Sequence, residues 1–201
     1  MAIDAMLHQR RVWRGRPTAL PPGSQPTGHA TLDAALPAGG WPEAALIEVL
    51  IPADGVGELQ LLWPTLARLS LAGERIVLVA PPYLPFAPAW QRAGIALRHL
   101  QIVRVEMSRD ALWATEQCLR SRSCGAVLCW PRDVDDRALR RLQVAAESGR
   151  TLGFATRPLD AAHHASPAAL RIAVDAEPAQ WRVLKCRGGL APVQPIPRSA
   201  G

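Results

Sequence analysis

The residues placed to do chemistry in this chain lie between Ala44 and Leu62, AALIEVLIPADGVGELQLL. An apolar run, Ala45 to Leu50, gives way to a turn holding Gly55 and Gly57, and a leucine-rich segment opens directly after it. This is the outline of a strand, a glycine loop and a helix, the arrangement that cradles nucleotide phosphates in the pattern G-x-x-x-x-G-K-[ST]. The groups that would handle the phosphates are missing. With Gly57 as the second glycine, Pro52 stands at the first, Glu58 at the lysine and Leu59 at the hydroxyl residue. A lysine there offsets phosphate charge and a hydroxyl binds Mg²⁺. Glutamate repels the first and leucine cannot ligate the second. Lys185 is the sole lysine of the chain and lies far from the loop in sequence. The expectation is a nucleotide-fold chassis without ATPase chemistry, no bound cofactor and no catalytic residue.

The elements that must position this loop follow from hydropathy. With 201 residues and 49% hydrophobic content, the chain suffices for one folded domain with a full core. No apolar run approaches the roughly 18 residues of a membrane span, and the first residues show no signal-peptide pattern, so a cytoplasmic protein is expected. Leu59 to Ala72 is apolar nearly all round, as suits a helix inside a layered α/β domain, with Pro64 in its first turn or kinking it. Arg75 to Ala80 is apolar on both faces, the mark of a parallel, central strand. Leu100 to Val105, Ala126 to Trp130 and Thr151 to Thr156 read as further strands. Ser108 is placed to cap the helix that follows it, and Asp135 or Asp136 the next. Residues 158–167 read as loop. Leu170 to Val174 and Trp181 to Leu184 flank an acidic, proline-containing turn and predict an antiparallel hairpin. The fold class is therefore α/β, a mostly parallel sheet flanked by helices with a C-terminal hairpin. Three regions result: a basic arm and linker over 1–28, a core over 29–189 with a degenerate phosphate loop, and a flexible, proline-rich tail over 190–201.

Where the fourth strand of such a core would end in a Mg²⁺-orienting aspartate, Trp130-Pro131 stands instead, and Asp133 comes later. The four cysteines (Cys118, Cys124, Cys129, Cys186) have no C-x-x-C pairing and no histidine at zinc spacing. No metal site is expected.

The net charge of +6 comes almost wholly from arginine and favours nucleic acid or an acidic protein as partner. Its placement singles out three groups. Arg10, Arg11, Trp13, Arg14 and Arg16 fill the N-terminal arm. Arg137, Arg140 and Arg141 form a stripe at i, i+3, i+4, which reads as a binding face or simply a solvated one. Lys185 and Arg187 close the hairpin, and no acid follows Glu177. Trp113, on the polar side of its helix beside Arg109, Glu116 and Arg120, is either a partner anchor or a ring lying under arginine stems.

Taken together, these parts resemble a known family. TGHATLDAALPAGGWPEAALIEVL resembles the entry of the RecA family into its ATPase core, and Leu184-Lys185-Cys186-Arg187-Gly188-Gly189 resembles that family's K-x-[KR] segment. With both nucleotide motifs eroded, the chain is most similar to the RecA/SulA-like ImuA family. The segments that carry this are Val12 to Arg16, GVGELQLLWPTLARLS at 55–70, APPYLPFAPAW at 80–90, DALWATEQCLRS at 110–121, DDRALRRLQVAAESG at 135–149 and VLKCRGG at 183–189. The resemblance implies a RecA-like core and a non-catalytic part in SOS-induced translesion DNA synthesis. ImuB and RecA would be its partners, an error-prone polymerase an indirect one, and DNA a further contact. It leaves oligomeric state open. Two other readings stand beside it: a SulA-like cell-division inhibitor, and an unusual ATPase in which Lys185 or a partner's arginine replaces the loop lysine.

Overall fold

The computed structural model describes residues 25–132 and 134–198, and the N-terminal arm with Arg10, Arg11, Trp13, Arg14 and Arg16 lies outside them, as does Asp133. A short helix α1 (Ala30–Ala35) leads into strand β1 (Leu46–Ile51), which is buried along its whole length. Then follow α2 (Glu58–Leu71), β2 (Arg75–Val79), α3 (Ala87–Arg92), β3 (Leu100–Val103), α4 (Ser108–Arg120), β4 (Cys124–Cys129), α5 (Asp136–Gly149), β5 (Leu152–Pro158), β6 (Leu170–Asp175), β7 (Gln180–Cys186) and β8 (Ile196–Pro197). They make one eight-stranded sheet in the order β3-β2-β4-β5-β1-β6-β7-β8. Strands β1 to β6 pair in parallel, and β7 and β8 pair antiparallel beyond them. The expected α/β architecture, with its antiparallel hairpin, is present.

Burial on both faces explains the apolar strand runs. One face packs against Leu61, Leu62, Leu66 and Leu69 of α2 and Trp90 of α3. Trp41 anchors this layer. Its ring meets Phe154 edge to face at 5.3 Å, and its Nε1 donates to Thr65 Oγ1 at 2.7 Å, so the indole is buried with its polar atom satisfied. The other face packs against Leu119 of α4 and Leu139, Leu142, Ala145 and Ala146 of α5. Pro64 is the seventh residue of α2, in its second turn rather than its first.

Three local expectations are corrected. Ser108 does not cap α4: the helix begins on it, Met107 is the N-cap residue, and no side chain bonds the first turn. The Met107 carbonyl already accepts from the Asp110 and Ala111 amides, which places Ser108 inside the helix rather than before it. The loop over 158–167 contains a 3₁₀ turn, Leu159–His163. The tail expected to be flexible from residue 190 is docked as far as Arg198. Ile196 is buried and pairs with Trp181, and the Arg198 amide donates to the Ala179 carbonyl. Burial of Ile196 against the hairpin outweighs the proline-rich composition of the segment.

At α5 the acid cap is Asp135, whose Oδ1 accepts from the Ala138 amide at 2.7 Å. Asp135→Ala is expected to lower stability by about 1 kcal/mol, seen as a fall of a few degrees in Tm, while Asp136→Ala should change little.

Candidate functional site: the degenerate phosphate loop

The loop 52–57 leaves the carboxyl end of β1 and turns through two left-handed glycines, Gly55 at φ 86° and Gly57 at φ 102°, the latter being the N-cap of α2. Such turns aim successive amides at one point and make a nest for an anion. The nest is filled from within. Glu58 Oε1 accepts from the Gly55 amide at 3.0 Å, and Oε2 accepts from the Gly57 amide at 3.1 Å. The carboxylate is buried and sits where a phosphate oxygen would be held. Glu58 therefore occupies the two amides that such a nest would offer to an anion. Pro52 and Leu59 contribute shape only, one opening the turn and the other packing on the core.

The loop is also clamped from outside. Arg198 Nη1 donates to the Val56 carbonyl at 2.7 Å, and a Cβ on Gly57 would collide with the same guanidinium. The C-terminal segment thus reaches the turn that sequence reasoning treated alone.

Beside the loop lies a crevice of about 440 Å³ at the carboxyl ends of β1, β4 and β5, lined by Asp54, Trp130, Arg132, Thr156 and Arg157 among others. Arg132 approaches Asp54 at 3.4 Å on the surface. Arg157 is different, for it belongs to a buried triad. Glu48, fully buried in β1, holds Arg157 Nη1 at 2.5 Å and Arg171 Nε at 2.6 Å, one on each oxygen. Arg171 also donates to the carbonyls of Ala161 (2.6 Å) and His164 (3.0 Å). Glu48 thereby ties β5 and β6 to the strand between them. Sequence reasoning missed this triad. Its signal was an acid in the middle of LIEVLI, since a carboxylate in a buried strand requires a cation partner.

The remaining residues singled out by sequence fall elsewhere. Trp113 is 64% exposed on α4. Arg137, Arg140 and Arg141 are exposed on the neighbouring α5. Arg137 and Arg141 line a groove of about 530 Å³ that also includes Leu112 of α4, and Arg141 Nε lies 3.6 Å from Glu116. The structure brings the tryptophan helix and the basic stripe side by side, remote in sequence from the loop. Lys185 and Arg187 are both engaged within the chain. Lys185 Nζ donates to the Ser166 carbonyl at 2.6 Å, and burial, with Arg187 and Arg171 nearby, holds its pKa below the usual lysine value. Arg187 pairs with Glu147 at 2.7 Å.

Burial pushes the Cys129 thiol up to about 12, so it stays protonated and inert at neutral pH. Among the described residues there is no group of three or more His, Cys, Asp or Glu suited to a metal ion, and no helix is long and apolar enough to cross a membrane.

Comparison with known proteins relates the chain to SulA. Over 112 residues the chain is 29% identical to the cell division inhibitor SulA of Pectobacterium atrosepticum, a stretch covering 55% of this chain and 67% of that protein. The crystal structure of SulA from Pseudomonas aeruginosa is similar at 24% identity and a TM-score of 0.48, covering 56% of this chain and 97% of that one. No family model matches the chain. The chain is thus related to SulA at modest identity. The finer resemblance to ImuA rests on the segments quoted above.

Proposed function

We propose that this chain is a non-catalytic accessory factor of the SOS response that works through binding partners rather than nucleotide turnover. The observation that carries this reading is the Glu58 carboxylate on the Gly55 and Gly57 amides. Phosphoryl transfer depends on positioning and on positive charge around the transferring group, and here a negative charge holds the donors. The strand order around β1, with β5 and β6 as its neighbours, supports a RecA-like chassis reused for assembly. In the finer form of the proposal the chain acts in translesion synthesis with ImuB and RecA, serving an error-prone polymerase indirectly and touching DNA.

A second reading is favoured by the similarity to SulA: a cell-division inhibitor. The two separate cleanly in cells. Overexpression without DNA damage should leave cell length normal if the chain serves translesion synthesis and should produce filaments if it blocks division. Deletion should abolish damage-induced mutagenesis only in the first case. The purified protein is expected to release no phosphate from ATP above a blank. Turnover that Glu58→Gln alters would overturn the non-catalytic reading.

A further inference from the structure

From Arg75 to Val105 the sequence contains no aspartate or glutamate, while it carries Arg75, Arg92, Arg98 and Arg104. The fold gathers this stretch at one edge of the sheet: β2, the connection 80–86, α3 and the outermost strand β3. Arg92, Arg98 and Arg104 are exposed and make no ion pair among the described residues. Most other surface cations of the core sit opposite a carboxylate, as Arg120, Arg132, Arg150, Arg182 and Arg187 do.

The same edge exposes apolar side chains. Tyr83 is 70%, Leu84 69% and Phe86 64% exposed, and Ile102 of β3 is exposed to a lesser degree. Pro81, Tyr83, Leu84, Ile102 and Arg104 line a groove of about 350 Å³ along the strand. Grouped exposure of large apolar residues marks an interaction site more often than scattered exposure does. Along β3 one side is hydrogen-bonded to β2, and among the described residues no strand lies beside the other, so backbone donors and acceptors of an edge strand run next to the groove.

We propose that this edge docks an extended acidic segment of a protein partner, adding it as a strand beside β3. Its apolar side chains fill the groove and its carboxylates meet Arg98 and Arg104. The inference names the class of partner for the binding role proposed above and rests on that reading. Backbone pairing is what an open strand edge offers to a peptide, and a phosphodiester has no matching row of donors. A second copy of this chain is disfavoured by charge: pairing edge to edge would set its exposed Arg98 and Arg104 against the same two arginines.

The test uses the full chain and three labelled probes. These are a peptide of about ten residues alternating leucine and glutamate, its leucine–lysine counterpart, and an oligothymidylate of similar length. Fluorescence anisotropy should show the acidic peptide binding at least about tenfold more tightly than the basic one at low salt. Arg98→Glu with Arg104→Glu should invert that preference. Leu84→Asp with Ile102→Asp should lose the acidic peptide. All four sites are at the surface, so circular dichroism should stay that of the parent. Amides 100–103 should exchange more slowly with the acidic peptide bound. Failure of the acidic peptide to bind, equal binding of both peptides, tighter oligothymidylate binding lost in the same variants, or self-association lost in them would each overturn the proposal. An intact SOS phenotype alongside such a result would remove this surface and leave the broader role standing.

Discussion

Glu48→Ala is expected to destabilise the chain by roughly 3–5 kcal/mol, because it strands two buried guanidiniums without a counter-charge. For a domain of this size that is a fall in Tm of roughly 6 to 20 °C, measurable by thermal unfolding. Arg157 and Arg171 are each only 7% exposed in their side chains, so water cannot replace the lost carboxylate. Arg157 Nε is already buried without a partner among the described residues, so losing Glu48 adds to an existing deficit. Glu48→Gln keeps the shape and one acceptor and should fall between. Replacing all three members by apolar residues of similar volume should be far milder than the single alanine, since the desolvation cost disappears with the charges. A Glu48→Ala protein that melts within two or three degrees of the parent would show that the triad does not hold β5 and β6 to β1.

The second large effect belongs to Glu58. Glu58→Ala removes a nearly buried carboxylate that accepts two backbone bonds, each worth roughly 1.5–3 kcal/mol when the acceptor is charged. Rearrangement of the loop recovers part of this, and a net loss of roughly 2–3 kcal/mol is expected. The vacated amides then face solvent as an anion nest. Inorganic phosphate should therefore raise the Tm of Glu58→Ala in a concentration-dependent way and leave the parent unchanged. Equal stabilisation of both proteins would mean that phosphate binds elsewhere and that the carboxylate is not its substitute.

The frame of the fold was legible because buried parallel strands leave an uninterrupted apolar signature: LIEVLI, RIVLV and the run ending in Cys129 announce themselves. The glycine loop was legible for the same reason, since a buried strand feeding two glycines and a helix admits few conformations. What the Glu58 side chain does was not legible, because the pattern shows which residue is missing and not where its replacement folds back. The triad was hidden by distance: nothing local in LIEVLI points to arginines beyond residue 150. The place of β3 in the sheet was not legible either. LQIV reads as a strand without saying where it pairs, and it lies at the edge with Gln101 and Ile102 exposed. Composition likewise misjudged the last residues, where one buried isoleucine and one arginine hold a proline-rich segment in place.

The placement of β1 between β5 and β6 also sets a timetable. Glu48 and Arg157 are 109 residues apart in sequence, and Glu48 and Arg171 are 123 apart. During synthesis the first strand leaves the ribosome with its apolar flanks and its carboxylate unpartnered, and stays so until most of the chain has followed. Contacts of such long span form late. A nascent chain stopped after β4 holds half a sheet with its middle strand missing both neighbours, a state prone to aggregate. A fragment ending after β4 is therefore expected to stay largely unfolded, and circular dichroism of that fragment would check it.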